Sequence, residues 1–154
     1  MKKIPYYQEW REELVLFLDD GFDGDDCYAI LQRAGYALER FSEHFTDEHG
    51  KRLQGIKDPE IIRICNRHGW LLVTIDKAIV KAHRDQISES NNICILATCN
   101  NCAGDVTPWA ESLVKLKPRL ERNSFKKQLR PWFGKFDMRG KFSTHPYFVE
   151  KPKR

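Results

Sequence analysis

The first two-thirds of the chain alternates short apolar runs with amphipathic stretches. Residues 14–18 (LVLFL) are continuously apolar, the pattern of a strand buried on both faces of a sheet, and Asp19-Asp20-Gly21 ends the run. A helix is predicted over 25–34. Asp23, Asp25 and Asp26 suit the positive end of its dipole, Ile30, Leu31 and Ala34 give it an inner face, and Gly35 closes it. Tyr36 to Phe41 reads as a weaker strand, and 42–56 is polar and broken by Gly50 and Gly55. Asp58 as N-cap, Pro59 at the first helical position and Glu60 in the first turn open the next helix. Its apolar positions are Ile61, Ile62, Ile64 and Cys65, and Gly69 ends it. Trp70 to Ile75 is a second buried strand ending at Asp76, a helix follows over 77–84, and Ile93 to Thr98 is a further strand. This order predicts an α/β fold, a three-layer α/β/α sandwich with a mostly parallel sheet.

The last third reads differently. Thr107 and Pro108 open a helical stretch over 107–129 that Pro118 interrupts or restarts. Pro131, Gly134 and Gly140 make 131–145 irregular, with Trp109, Phe125, Trp132, Phe133, Phe136 and Phe142 set among basic residues. The expected division is an α/β domain over 1–104 and a basic, aromatic-rich helical C-terminal extension over 105–154. Charge sharpens it. Residues 1–114 hold 13 Lys/Arg against 19 Asp/Glu, whereas 115–154 hold 13 against 3. An acidic body with a basic tail suits action on a polyanion, although cations also serve simply to solvate a helix.

With 154 residues, 41% hydrophobic and 12% aromatic, the chain is long enough for one real core. No apolar run approaches the roughly 20 residues of a bilayer span, so no membrane partner is expected. The opening MKKIPYYQEWREELVLFL lacks the apolar stretch and cleavage site of a secretory signal, and a cytoplasmic setting is expected. Cys27, Cys65, Cys94, Cys99 and Cys102 then read as reduced thiols. The Cys99/Cys102 pair has no second ligand pair at a zinc-site spacing.

Asp19 and Asp76 each follow an apolar strand, and Asp58 opens a helix. Each has an ordinary reading, as a turn residue or a cap. Together they would converge on the carboxyl edge of a parallel sheet, where ligands bind. Such an acidic pocket suits Mg²⁺ or Mn²⁺, which take oxygen ligands and retain several waters. Thr74 shares the strand face of Asp76 and can bond a carboxylate or a phosphate, while Asp20 and Glu60 are supporting candidates. His44, His49, His68, His83 and His145 form no metal-binding spacing.

Residues 14–99 resemble the PIN-like domain family, especially VapC-type toxin ribonucleases and related PIN-like proteins. The motifs are Leu18-Asp19, a helix closed by Gly35, Asp58-Pro59-Glu60-Ile61, and Gly69-Trp70-Leu71-Leu72-Val73-Thr74-Ile75-Asp76. The resemblance implies a metal-dependent endoribonuclease using Mg²⁺ or Mn²⁺, often one half of a toxin–antitoxin pair and often a homodimer. It carries Asp19, Asp58 and Asp76 over as catalytic and metal-site acids. Ala78 stands where many relatives place another acid, which favours one ion over two. RNA phosphates would fall to the tail, with Arg119, Arg122, Lys126, Lys127 and Arg130 as candidates. Two other readings are a non-catalytic module binding nucleic acid or a partner protein, and a receiver-type signalling domain hinted at by Lys117-Pro118.

Overall fold

The apolar runs pair into one sheet. The computed structural model describes residues 14–49, 51, 58–76, 78–98, 105–124 and 131–144. Its strands are β1 (Val15–Leu18), β2 (Ala37–Arg40), β3 (Leu71–Thr74), β4 (Cys94–Thr98), β5 (Trp132–Phe136) and β6 (Phe142–Thr144). They lie in the order β2-β1-β3-β4-β5-β6. The first five are parallel, and β6 is antiparallel to β5. The helices are α1 (Asp25–Arg33), α2 (Phe41–His44), α3 (Asp58–His68), α4 (Ile79–Ala82), α5 (Arg84–Glu89) and α6 (Thr107–Ser124). Among the described residues no helix is long and apolar enough to cross a membrane.

Strand residues alternate between two cores, as the period of two requires. Leu16, Leu18, Leu71, Val73, Cys94, Leu96, Trp132 and Phe136 pack with Cys27 and Leu31 of α1 and with Trp109, Leu113, Leu116 and Leu120 of α6. Phe17, Leu72, Ile95, Ala97 and Phe133 pack on the other face with Ile61, Ile62 and Cys65 of α3, Ile79 and Val80 of α4, and Ile87 of α5. The result is the three-layer α/β/α arrangement.

Helices α1 and α3 end in the same device. Gly35 (φ 91°) and Gly69 (φ 72°) adopt the left-handed conformation that β-carbon-bearing residues avoid. Tyr36 N–H then donates to the Leu31 carbonyl (3.3 Å) and Trp70 N–H to the Cys65 carbonyl (3.1 Å), satisfying the last turns and feeding the chain into β2 and β3.

Two expectations are corrected beyond residue 105. The stretch over 131–145 is not irregular, because Trp132–Phe136 extends the parallel sheet and Phe142–Thr144 returns beside it. Pro118 does not interrupt α6, which runs unbroken from Thr107 to Ser124. The carbonyl that loses its helical donor belongs to Val114, a residue on the exposed side of the helix. One residue earlier, the Leu113 carbonyl accepts a 2.5 Å bond from the buried Tyr36 hydroxyl, which ties α6 to the end of α1. Burial raises the Tyr36 pKa, so the phenol stays a donor.

The polar stretch before β4 also holds more structure than its composition suggests, since α5 occupies 84–89. Crossover geometry differs at the end of the chain. In the strand order, β2 lies to one side of β1 and β5 to the opposite side of β4, yet α1 and α6 share a face. The β4–α6–β5 crossover therefore has the opposite hand to β1–α1–β2, a rare departure in parallel sheets. Helices α3, α4 and α5 already cover the other face.

Replacing Gly69 by alanine forces a β-carbon into the left-handed region. The expected loss is about 1–2 kcal/mol in denaturant unfolding, with the m-value unchanged.

Candidate active site at the carboxyl edge of the sheet

Strand order reverses between β1 and β3: the chain leaves β1 toward β2 and later returns to the other flank of β1. In open α/β sheets the crevice at the carboxyl ends of such a pair is the usual ligand site. Asp19 and Thr74 stand there. The register pairs Leu18 with Val73, and the Asp19 N–H continues the ladder to the Val73 carbonyl (3.1 Å).

Asp19 is 9% exposed. Its Oδ2 accepts a 2.7 Å bond from Thr74 Oγ1, and its Oδ1 accepts the Asp20 N–H at 2.8 Å. Thr74 is fully buried, and its Oγ1 in turn accepts the Asp76 N–H (3.0 Å), which leaves the hydroxyl hydrogen for Asp19. Burial pushes the Asp19 carboxyl above its ordinary range. The hydrogen bonds from Thr74 and Asp20 oppose that rise, while the charges of Asp58 and Asp20 add to it. The Cys65 thiol is raised by its own burial and then by the Asp19 charge, which places Asp19 against α3.

The loop after β1 is held from two sides. A β-carbon on Gly21 would come within 2.6 Å of Ile75 Cδ1, so the turn Asp20–Phe22 lies directly on the Ile75 side chain at the end of β3, which a side chain at residue 21 would displace. On the other flank Arg40, at the end of β2, donates to Asp23 Oδ1 (2.6 Å) and Asp25 Oδ1 (3.0 Å). Its guanidinium lies 4.4 Å from the centre of the Tyr28 ring. Asp23 Oδ2 accepts the Ser42 N–H (2.7 Å), which ties α2 to the same loop.

The remaining sequence-derived acids divide. Asp58 begins α3, and its Oδ2 lies 3.3 Å from His83 Nε2, at the junction of α4 and α5. Asp76 is exposed and turns Oδ1 to the Ala78 N–H (3.0 Å), a turn-forming role; it does not cap α4, whose N-cap is Ala78. Glu60 is exposed and pairs with Arg63 along α3. Asp20 is exposed and acts on Asp19 through its charge and its N–H. Among the described residues, no three His, Cys, Asp or Glu side chains group closely enough to hold a metal ion. The structure thus couples Asp19 with Asp58 and leaves Asp76 on the rim facing its own loop.

Sequence reasoning missed His83 and Arg40. Neither belongs to a local motif; each is recruited by tertiary packing to a carboxylate 17 or 25 residues away in the chain. Of the basic candidates, Arg119 and Arg122 are exposed on α6, across the sheet from α3. Arg119 lies over the Phe142 ring at 4.7 Å. Lys126, Lys127 and Arg130, like Cys99 and Cys102, fall outside the described residues. Lys117 lies within α6 and pairs with Glu121 at 2.9 Å.

Compared with known proteins, the chain matches no family model, no curated protein and no solved structure.

The raised Asp19 pKa has a defined consequence for stability. Between the ordinary carboxyl value of 3.8 and the raised folded value, the native state binds more protons than the unfolded chain, so stability falls as pH rises through that window. Asp19→Asn removes this contribution while keeping an acceptor for one of the two neighbouring donors. In EDTA the variant is expected to melt above wild type at pH 7, with the difference vanishing near pH 3.5 (about the unperturbed carboxyl range). A thermal melt series across pH reads it, and a variant that melts below wild type at pH 7 contradicts the assignment.

Proposed function

We propose that the protein is a metal-dependent endoribonuclease of PIN-like type. The observation that carries this reading is a buried aspartate, Asp19, fixed by Thr74 at the topological switch of a parallel sheet and electrostatically coupled to Asp58. Burying Asp19 within reach of the charges of Asp58 and Asp20 destabilises the apo protein, and cation binding offsets that cost.

The donor set fits Mg²⁺ or Mn²⁺ in one particular form. These ions need only one or two protein carboxylates when waters and substrate phosphate complete the shell. Asp19 and Asp58 supply such a pair, with Asp76 as an outer acid. When bound, such an ion polarises a phosphodiester and lowers the pKa of coordinated water. The protein's own part is positional. Thr74 orients Asp19, His83 steadies Asp58, and the Gly21 turn keeps the loop after β1 on the strand ends. RNA fits as substrate because the acidic half needs a cation-bearing half to approach a polyanion, and the tail supplies it. Arg119 and Arg122 serve as outer contacts in this reading. A cytoplasmic setting, an antitoxin partner and a homodimer belong to the same proposal.

A second reading, a nucleic-acid-binding module without turnover, draws on Asp76, whose Oδ1 is committed to its own turn. One experiment separates the two. Cleavage of a fluorescent single-stranded RNA is expected with Mn²⁺ and not with EDTA, and Asp19→Asn or Asp58→Asn should lower it about 100-fold or more. Equal cleavage by Asp19→Asn would refute the nuclease reading; RNA binding with no metal-dependent cleavage favours the second.

A further inference from the structure

The β5–β6 hairpin lies on the same edge as the acids. Strand β5 runs parallel to β1 and β3, so the turn that follows Phe136 emerges at their carboxyl ends. The register is specific. Thr74 pairs with Ala97, and Ala97 pairs with Lys135. Asp19 sits beside Thr74, so Asp19, Thr74, Ala97 and Lys135 form one lateral row across β1, β3, β4 and β5. In-register residues of a parallel sheet share a face, and for this row it is the face of α3, α4 and α5. Ala97 between them is small and fully buried. Three strand spacings put Lys135 about 14 Å along the row from Asp19.

Beyond Lys135 the turn adds Arg139 and Lys141, both exposed. The turn is fixed from inside. Asp137 Oδ1 accepts the backbone N–H groups of Arg139 (2.9 Å) and Lys141 (3.1 Å), and Ser112 Oγ of α6 donates to the Asp137 carbonyl (2.6 Å). Gly140, at φ 86°, packs against the Lys115 side chain of α6, so a fourth cation adjoins the turn. Among the described residues none of these four cations lies within ion-pair distance of a carboxylate. Met138, 49% exposed, stands at the tip between Asp137 and Arg139.

We propose that this hairpin is the docking surface for a single-stranded RNA, with Lys135, Arg139 and Lys141 holding phosphates that flank the one placed at Asp19. The inference rests on the nuclease reading for its substrate and adds the path of the strand, along the carboxyl row from β1 to β5. Charge complementarity selects the occupant. The rim is acidic at β1 and basic at β5, so a polyanion is held at the basic end and requires a cation at the acidic end.

The test is fluorescence anisotropy of a labelled 12-nucleotide RNA (about one single-strand site), titrated in EDTA over a range of salt concentrations. Removing one cation that holds a phosphate of a single strand should reduce the slope of log K against log salt by about 0.7. Lys135→Gln/Arg139→Gln/Lys141→Gln is expected to lower that slope by about 2. The double variant Arg139→Gln/Lys141→Gln, confined to the exposed turn, is expected to lower it by about 1.4 with the melting temperature unchanged. Lys135→Arg/Arg139→Lys/Lys141→Arg should retain the wild-type slope. An unchanged slope in the triple and double glutamine variants overturns the proposal, as does a wild type that does not bind the RNA. The two readings fail separately. A hairpin-dependent slope in a protein inert with Mn²⁺ supports the surface and refutes the nuclease, whereas metal-dependent cleavage with an unaltered slope does the reverse.

Discussion

A carboxylate taken out of water at the end of a central strand is the constraint around which the rest of the molecule is arranged. An isolated buried charge is expensive, and two hydrogen bonds recover only part of its hydration. Asp19 receives those two from Thr74 and from the Asp20 backbone, and it faces the like charge of Asp58. Among the described residues no cation forms an ion pair with it: Phe17 and Leu72 belong to the core beneath it, and Cys65 is buried beside it. A stability-optimised sequence would place an uncharged residue there. Retaining an acid in that position is a local conflict of the sort expected at functional sites.

Several features keep that conflict in one geometry. Thr74 reaches Asp19 only because β1 and β3 are adjacent and in register, and that adjacency depends on the chain leaving β1 toward β2 first. The left-handed Gly35 and Gly69 set where β2 and β3 begin, and so fix how far each strand runs before its end. Gly21 permits the turn to lie on Ile75, while Arg40 draws Asp23 and Asp25 to the opposite flank. These residues come from separate segments of the chain, which is why a single cooperative fold is needed to build a site of so few atoms.

The legible parts of this arrangement were those with strong local chemistry. Apolar runs at 14–18, 70–75 and 93–98 became β1, β3 and β4, and the helix ends at Gly35 and Gly69 followed from backbone sterics alone. β5 was not legible because WFGKF mixes a glycine and a lysine into an aromatic run, and both lower strand propensity. Its partners supply what its own sequence lacks, since β4 pairs along its whole length. That Asp19 and Thr74 both stand at the carboxyl edge was legible, for strand ends are a topological property, but Thr74 was read with Asp76 and its bond to Asp19 was not foreseen. Side-chain direction is not legible, and Asp76 turned to its own loop, where an amide two residues on is always within reach. His83 and Arg40 were invisible because nothing in their own neighbourhoods distinguishes a side chain that reaches a distant carboxylate from one left in solvent.

The opposite hand of the last crossover ties these threads together. Had β4–α6–β5 followed the usual hand, α6 would lie among α3, α4 and α5, over the very face that carries Asp58 and His83. Placed instead beside α1, it buries Trp109, Leu113, Leu116 and Leu120 on the other core and leaves the acid-bearing face to α3, α4 and α5. Tyr36 secures the choice by bonding the Leu113 carbonyl one residue before the one that Pro118 deprives of its donor. The same path delivers β5 to the sheet parallel to β4, so that a lysine from the basic quarter of the chain enters the row begun by an aspartate from the acidic part. Charge segregated along the sequence thereby becomes charge juxtaposed along one edge, and the topology of a single helix is what converts the one into the other.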